Sequence, residues 1–154
     1  LVINGNSGNA AELQNCWAAF AYARQQSFCN YDRSAKKITL EEQTVNMEGL
    51  HSVLQVSGLQ ESINKLPNGM EELITENGKN FSGGQQQRIS IARALYKNAA
   101  VILLDEPFNE LNQEASFALL QNFRQLADSG KTVIMITHDK KSLSYCNKII
   151  SLDE

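Results

Sequence analysis

The chain has 154 residues, 42% hydrophobic and 20% charged, enough for one buried core and too few for two domains of ordinary size. Its net charge of −3 speaks against a nucleic-acid-binding surface, which needs a basic excess. The apolar runs, residues 99–104 among them, are far short of the roughly 18 residues that span a membrane. No signal-peptide pattern opens the sequence. Cys16, Cys29 and Cys146 are odd in number and lack C-x-x-C spacing, which argues against a disulfide framework or a zinc site and for reduced thiols.

Leu1-Val-Ile-Asn-Gly5 reads as a short strand entering a turn, and with no initial methionine it looks cut from something longer. Gly5-Asn-Ser-Gly8 reads as a turn. Phe20-Ala-Tyr-Ala23 is a short apolar run of the strand kind. From Ile38 to Asn80 the chain is more polar and without a strong strand signal. Within it, Glu48 to Leu59 is expected as a helix with Leu50, Val53, Leu54 and Leu59 inward. A shorter helix over Glu61 to Leu66 is stopped by Pro67-Asn-Gly69.

Gly84 to Lys97 is helical, with Ile91, Ala92 and Leu95 on one face and Ser82 as its N-cap. After the strand Val101 to Leu104, the residues Leu119, Leu120, Phe123, Leu126 and Ala127 form an apolar stripe on a helix of about four turns. Asn112 caps it and Ser129-Gly130 stops it. Val133 to Ile136 and Ile149 to Leu152 complete the set of apolar runs. Runs without clean alternation suit strands covered on both faces, hence an α/β fold with a parallel sheet. Residues 38–80 form a helical insertion between a strand-bearing portion, 1–37, and a second portion, 81–154.

Two motifs carry chemistry. Phe81-Ser-Gly-Gly-Gln-Gln-Gln-Arg88 opens a helix with a turn that offers backbone N–H groups and a positive dipole end to a phosphate. Val101-Ile-Leu-Leu-Asp-Glu-Pro107 is a buried strand delivering two carboxylates at its tip, a magnesium partner and a base. Alone, the first is an ordinary cap and the second an acidic turn. Together, and followed by Ile91-Ala-Arg-Ala94, they resemble the nucleotide-binding domain of ABC transporters, with Phe81 in the Leu position of the Leu-Ser-Gly-Gly-Gln signature.

That resemblance implies a P-loop NTPase fold of the ABC ATPase kind, and the spacing and Leu66-Pro-Asn-Gly-Met70 look most like its exporters. It implies that Ser82, Gly83, Gly84 and Gln85 close over an ATP held by a second nucleotide-binding domain in a head-to-tail dimer. Asp105 would hold Mg2+, Glu106 would polarise the attacking water, and His138 would be the switch histidine that contacts the γ-phosphate. Phe20-Ala-Tyr-Ala-Arg-Gln25 resembles the Q-loop, with Gln25, rather than the adjacent Gln26, reaching toward Mg2+ and water. Arg24 stands where many relatives have Pro. Phe108-Asn-Glu-Leu-Asn112 takes the place of the D-loop, with Asn112 for the usual Asp. Further partners implied are the transmembrane domains of a transporter, at the cytoplasmic face of a membrane; no nucleic acid is expected.

The family's phosphate-binding G-x-x-x-x-G-K-[ST] loop does not occur in these residues. Ser129-Gly130-Lys131-Thr132 has its ending, but Gln125 stands where the first Gly belongs, between a helix and a strand. The fold is therefore expected to be incomplete at its N-terminus, with ATP and Mg2+ binding weak or absent in the chain alone. The implied P-loop strand would lie between Val133 to Ile136 and Ile149 to Leu152, and either these two are expected to close the gap and pair directly, or another chain is expected to fill the slot. Two other readings stay open: an inactive truncated ABC-like module with an interaction role or none, and a soluble ABC-family ATPase of the DNA-maintenance type. The latter is disfavoured because no sustained heptads separate Gln25 from Ser82.

Overall fold

The computed structural model describes residues 2–3, 6–7, 18–24, 32–33, 38–39, 45–71, 73–74 and 81–152. Its centre is a parallel sheet of three strands, β3 (Phe20–Ala23), β6 (Val101–Asp105) and β7 (Thr132–Ile136), in the order β3-β6-β7. The register aligns Ala21 with Ile102 and Val133, and Ala23 with Leu104 and Met135. Ala21, Ala23, Ile102 and Leu104 are buried, and each large apolar side chain so buried contributes about 1.5–3 kcal/mol.

Expected coverage on both faces is not what the described residues show. Phe20, Tyr22, Ile134 and Ile136, on the opposite face, are 40–51% exposed. Strict alternation of exposure along β3 marks a sheet with one covered face, and the two faces look alike in sequence because both carry mostly apolar residues.

Helix α3 (Gly83–Tyr96) packs on β3 and β6, and α4 (Gln113–Asp128) packs on β7. Both begin as expected. The Ser82 side chain accepts from the Gln85 N–H, and Asn112 accepts from the Ala115 N–H. Helix α3 is buried more widely than its expected stripe, with Ile89, Ser90 and Ala94 inside as well as Ile91, Ala92 and Leu95. Gly130, at φ +97, ends the α4 segment in a left-handed turn that glycine adopts freely.

The insertion contains α1 (Met47–Val56), with Leu50, Val53 and Leu54 buried, and α2 (Gln60–Asn64). The C-terminal end of α1 is fastened twice. Arg88 of α3 donates to the Gly58 carbonyl at 2.7 Å, and Asn122 of α4 donates to the Val56 carbonyl at 2.8 Å. These bonds satisfy carbonyls that a helix end leaves open.

Near the chain start, β1 (Val2–Ile3) pairs antiparallel with β2 (Asn6–Ser7), so Asn6 and Ser7 form a returning strand where the sequence suggested only a turn. Strand β5 (Leu73–Ile74) pairs antiparallel with β4 (Asp32–Arg33), in a stretch where no strand was expected. Ile149 to Leu152 forms no strand. Ile149, Ile150 and Leu152 are 58%, 73% and 92% exposed, and the expected ladder with β7 is not made. A strand has no hydrogen bonds of its own, so three apolar residues and a serine without a paired edge do not form one.

Candidate functional site

The carboxyl ends of β6 and β7 place the acidic and basic groups side by side. Asp105 closes β6 opposite Ile136, and the Glu106 N–H extends the ladder by donating to the Ile136 carbonyl at 2.9 Å. Glu106 then turns into the left-handed region, φ +45, a conformation that costs a non-glycine residue about 1–2 kcal/mol and concentrates at functional sites. Pro107 and Phe108 follow as buried residues, and Phe108 lies against Phe123 of α4 with ring centroids 6.4 Å apart. These contacts hold the strained turn in place.

Nδ1 of His138 is 2.9 Å from Oε1 of Glu106. His138 directly follows β7 and Thr137, whose hydroxyl accepts from the Asp139 N–H; Asp139 in turn caps the 3₁₀ turn Lys140–Tyr145. The hydrogen bond to Glu106, then its negative charge, raises the His138 pKa above the usual 6.5, against a small desolvation effect and with Asp139 adding to the rise. Glu106 is largely enclosed, at 19% exposure, whereas His138 is open at 78%.

On the other side of β6, the Tyr22 hydroxyl donates to Asp105 Oδ2 at 2.8 Å. That hydrogen bond is the leading cause of a raised Tyr22 pKa, followed by burial and the Asp105 charge, with Arg24 opposing. The Arg24 guanidinium lies 5.7 Å from the Tyr22 ring centroid. Tyr22 was not among the residues expected at the site. Only the pairing register of β3 with β6 puts it on the face that carries Asp105.

The signature residues form the N-terminus of α3. Ser82 and Gln85 make a reciprocal capping box, the Ser82 N–H donating to Gln85 Oε1 at 2.8 Å. Both glycines face the loop after β6. A Cβ on Gly84 would stand 2.7 Å from the Glu110 backbone oxygen, and one on Gly83 would stand 2.5 Å from the Glu110 carboxylate. The loop from Pro107 to Asn112 thus joins the Glu106 turn to the first turn of α3. Gln25, with its neighbour Gln26, lies outside the described residues.

Lys131 of the Gly-Lys-Thr run is a latch. Its ammonium donates to Asn98 Oδ1 at 2.8 Å and to the Ala99 carbonyl at 3.0 Å, tying the turn before β6 to the start of β7. A cavity of about 440 Å³ beside it, lined by Asn46, Val53, Tyr96 and Ile102 among others, belongs to this end of the sheet and not to the carboxylates. Among the described residues no group of three or more His, Cys, Asp or Glu could cage a metal ion, and no helix is long and apolar enough to cross a membrane.

Comparison with known proteins places these features. Residues 1–109 match the profile of the family described as ABC transporter. The chain is 36% identical over 136 residues, 87% of its length, to the ATP-binding cassette sub-family C member 8 of Homo sapiens, of which it covers 8%. It is 31% identical over 155 residues, 100% of its length, to the ATP-dependent lipid A-core flippase of Vibrio parahaemolyticus, of which it covers 26%. A solved bacterial Atm1-family ABC exporter with ATP bound superposes with a TM-score of 0.79 at 26% identity, over 85% of this chain and 23% of that one. The chain therefore spans about a quarter or less of the length of these relatives.

Proposed function

Because the chain belongs to the ABC transporter family, as an ATP-binding domain of exporter type, we propose that it supplies the hydrolytic end of a Mg-ATP-driven transporter. Glu106 is the base that polarises the attacking water. His138 holds the Glu106 carboxylate on one side and offers its other ring nitrogen to the γ-phosphate. A positioned base of this kind is typically worth about 10²–10⁴ in rate. Gln25 is assigned a role toward the same water and the cation, as the Q-loop resemblance implies.

Asp105 fits Mg2+, a hard cation that takes oxygen ligands and keeps several waters. One carboxylate at a strand end suffices, since Mg2+ in such sites is completed by nucleotide phosphates and not by a protein cage. Asp105 would hold the cation, which would supply charge neutralisation for the nucleotide's phosphates. Ser82, Gly83, Gly84 and Gln85 present the N-terminus of α3 to an ATP on a second nucleotide-binding domain, in a head-to-tail dimer. Membrane domains complete the transporter, with this domain at their cytoplasmic side.

The observation that carries the reading is the 2.9 Å approach of His138 to Glu106 at the carboxyl end of a parallel sheet, where α/β folds place ligands. The test is Glu106→Gln in the complete protein. It keeps size and hydrogen bonding but removes the base, so turnover falls at least about 10²-fold while ATP binding persists and nucleotide-bound dimers accumulate. Undiminished turnover would reject the role of Glu106, and ATPase activity without dimerisation would reject the shared site.

A further inference from the structure

Tyr22 stands directly beside Leu103 in the parallel ladder, on the face that also carries Asp105 two residues further along β6. From that place a phenol is long enough to reach the carboxylate, and its hydroxyl meets Oδ2 at 2.8 Å. The backbone of β3 is fixed on both sides of it. Lys97 of the α3 segment donates to the Phe20 carbonyl at 2.6 Å, and the Ser90 hydroxyl donates to the Arg24 carbonyl at 3.3 Å. The donor is therefore mounted on a strand that α3 holds in register.

We propose that Tyr22 is a positioning residue for Asp105: its hydroxyl engages Oδ2, fixes the carboxylate rotamer and leaves Oδ1 as the oxygen presented to the cation or its bound water. This rests on the reading of Asp105 as the Mg2+ residue. A carboxylate held in one orientation by a neighbouring donor binds a cation without first losing rotamer freedom, which is how outer partners raise metal affinity. A merely structural role is a poor fit, because Tyr22 is 47% exposed and its ring fills no core space.

The test uses the complete protein in a Glu106→Gln background, which does not turn over, and reads Mn2+ affinity with saturating ATP by electron paramagnetic resonance. Tyr22→Phe is expected to weaken Mn2+ binding about three- to tenfold, the effect of one hydrogen bond of ordinary net strength. In an Asp105→Asn background the same change is expected to have no further effect, and the melting temperature stays the same. Unchanged Mn2+ affinity in Tyr22→Phe, alongside a loss in Asp105→Asn, overturns the positioning role and spares the Asp105 reading. An equal loss with and without Asp105, or one that follows a fall in melting temperature, overturns it in favour of a structural role. An Asp105→Asn protein with intact Mn2+ affinity removes the underlying reading, and the proposal with it.

Discussion

Nδ1 of His138 stands 2.9 Å from Oε1 of Glu106, 32 positions away in sequence, and the carboxylate raises the imidazole pKa above 6.5. The contribution of the pair to stability is therefore fully present below pH 6.5, the unfolded value, and is lost as pH rises through the higher folded value. NMR titration of the His138 ring is expected to show a midpoint above 6.5 that returns toward 6.5 in Glu106→Gln. A midpoint that ignores this substitution would mean that the contact does not persist in solution.

The two signature glycines are expected to respond differently to alanine. In Gly83→Ala the new Cβ meets the end of the Glu110 side chain, which rotates away, so stability changes by no more than about 0.5 kcal/mol, helped by the better helix propensity of Ala. In Gly84→Ala the Cβ meets the Glu110 backbone oxygen, which moves only with the loop, and a loss of about 1–3 kcal/mol is expected. Denaturant unfolding of both variants measures this. Equal losses would contradict the close packing of loop on helix.

Ser82 has a local duty and a proposed distant one, and two substitutions separate them. Ser82→Ala removes the acceptor for the Gln85 N–H and is expected to cost about 0.5–2 kcal/mol of stability while leaving ATP-dependent dimerisation detectable. Ser82→Arg loses the same cap but adds bulk on an exposed helix start, and is expected to abolish the dimer. Sedimentation of both in the Glu106→Gln background of the complete protein decides. Equal dimerisation would count against a nucleotide shared between subunits.

Lys131→Met should reduce stability by about 1–2 kcal/mol, because it leaves the Asn98 side chain and the Ala99 carbonyl without their charged donor. ATP affinity of the complete protein should not change. A large loss of nucleotide binding would show that Lys131 serves a phosphate after all.

What was legible in the sequence was what chain neighbours decide. The caps at Ser82 and Asn112 act on N–H groups three residues on, and the stripe Leu119, Leu120, Phe123 follows from helical period. That Glu106 and His138 lie at one end of the sheet was legible because each comes shortly after a recognisable strand. The remainder depends on partners distant in sequence. Nothing near Leu73 announces Arg33 as the site of its pairing, and nothing in Ile149 to Leu152 says that no edge receives it. Tyr22 meets Asp105 only through the β3-β6 register. Glu110 looks like a solvent-exposed loop acid until its backbone is found against Gly84.

That last contact has a mechanical consequence. The loop that follows Glu106 meets the first turn of α3 at the Glu110 backbone, beside the Leu111 side chain, and close-packed protein transmits displacement with little loss. In a head-to-tail dimer of the proposed kind these two parts face different nucleotides. In such a dimer one subunit would act as a rocker: a shift of Pro107 to Asn112 on loss of phosphate at its own site would tip the α3 terminus toward its neighbour's nucleotide, so the proposed sites would not open and close independently.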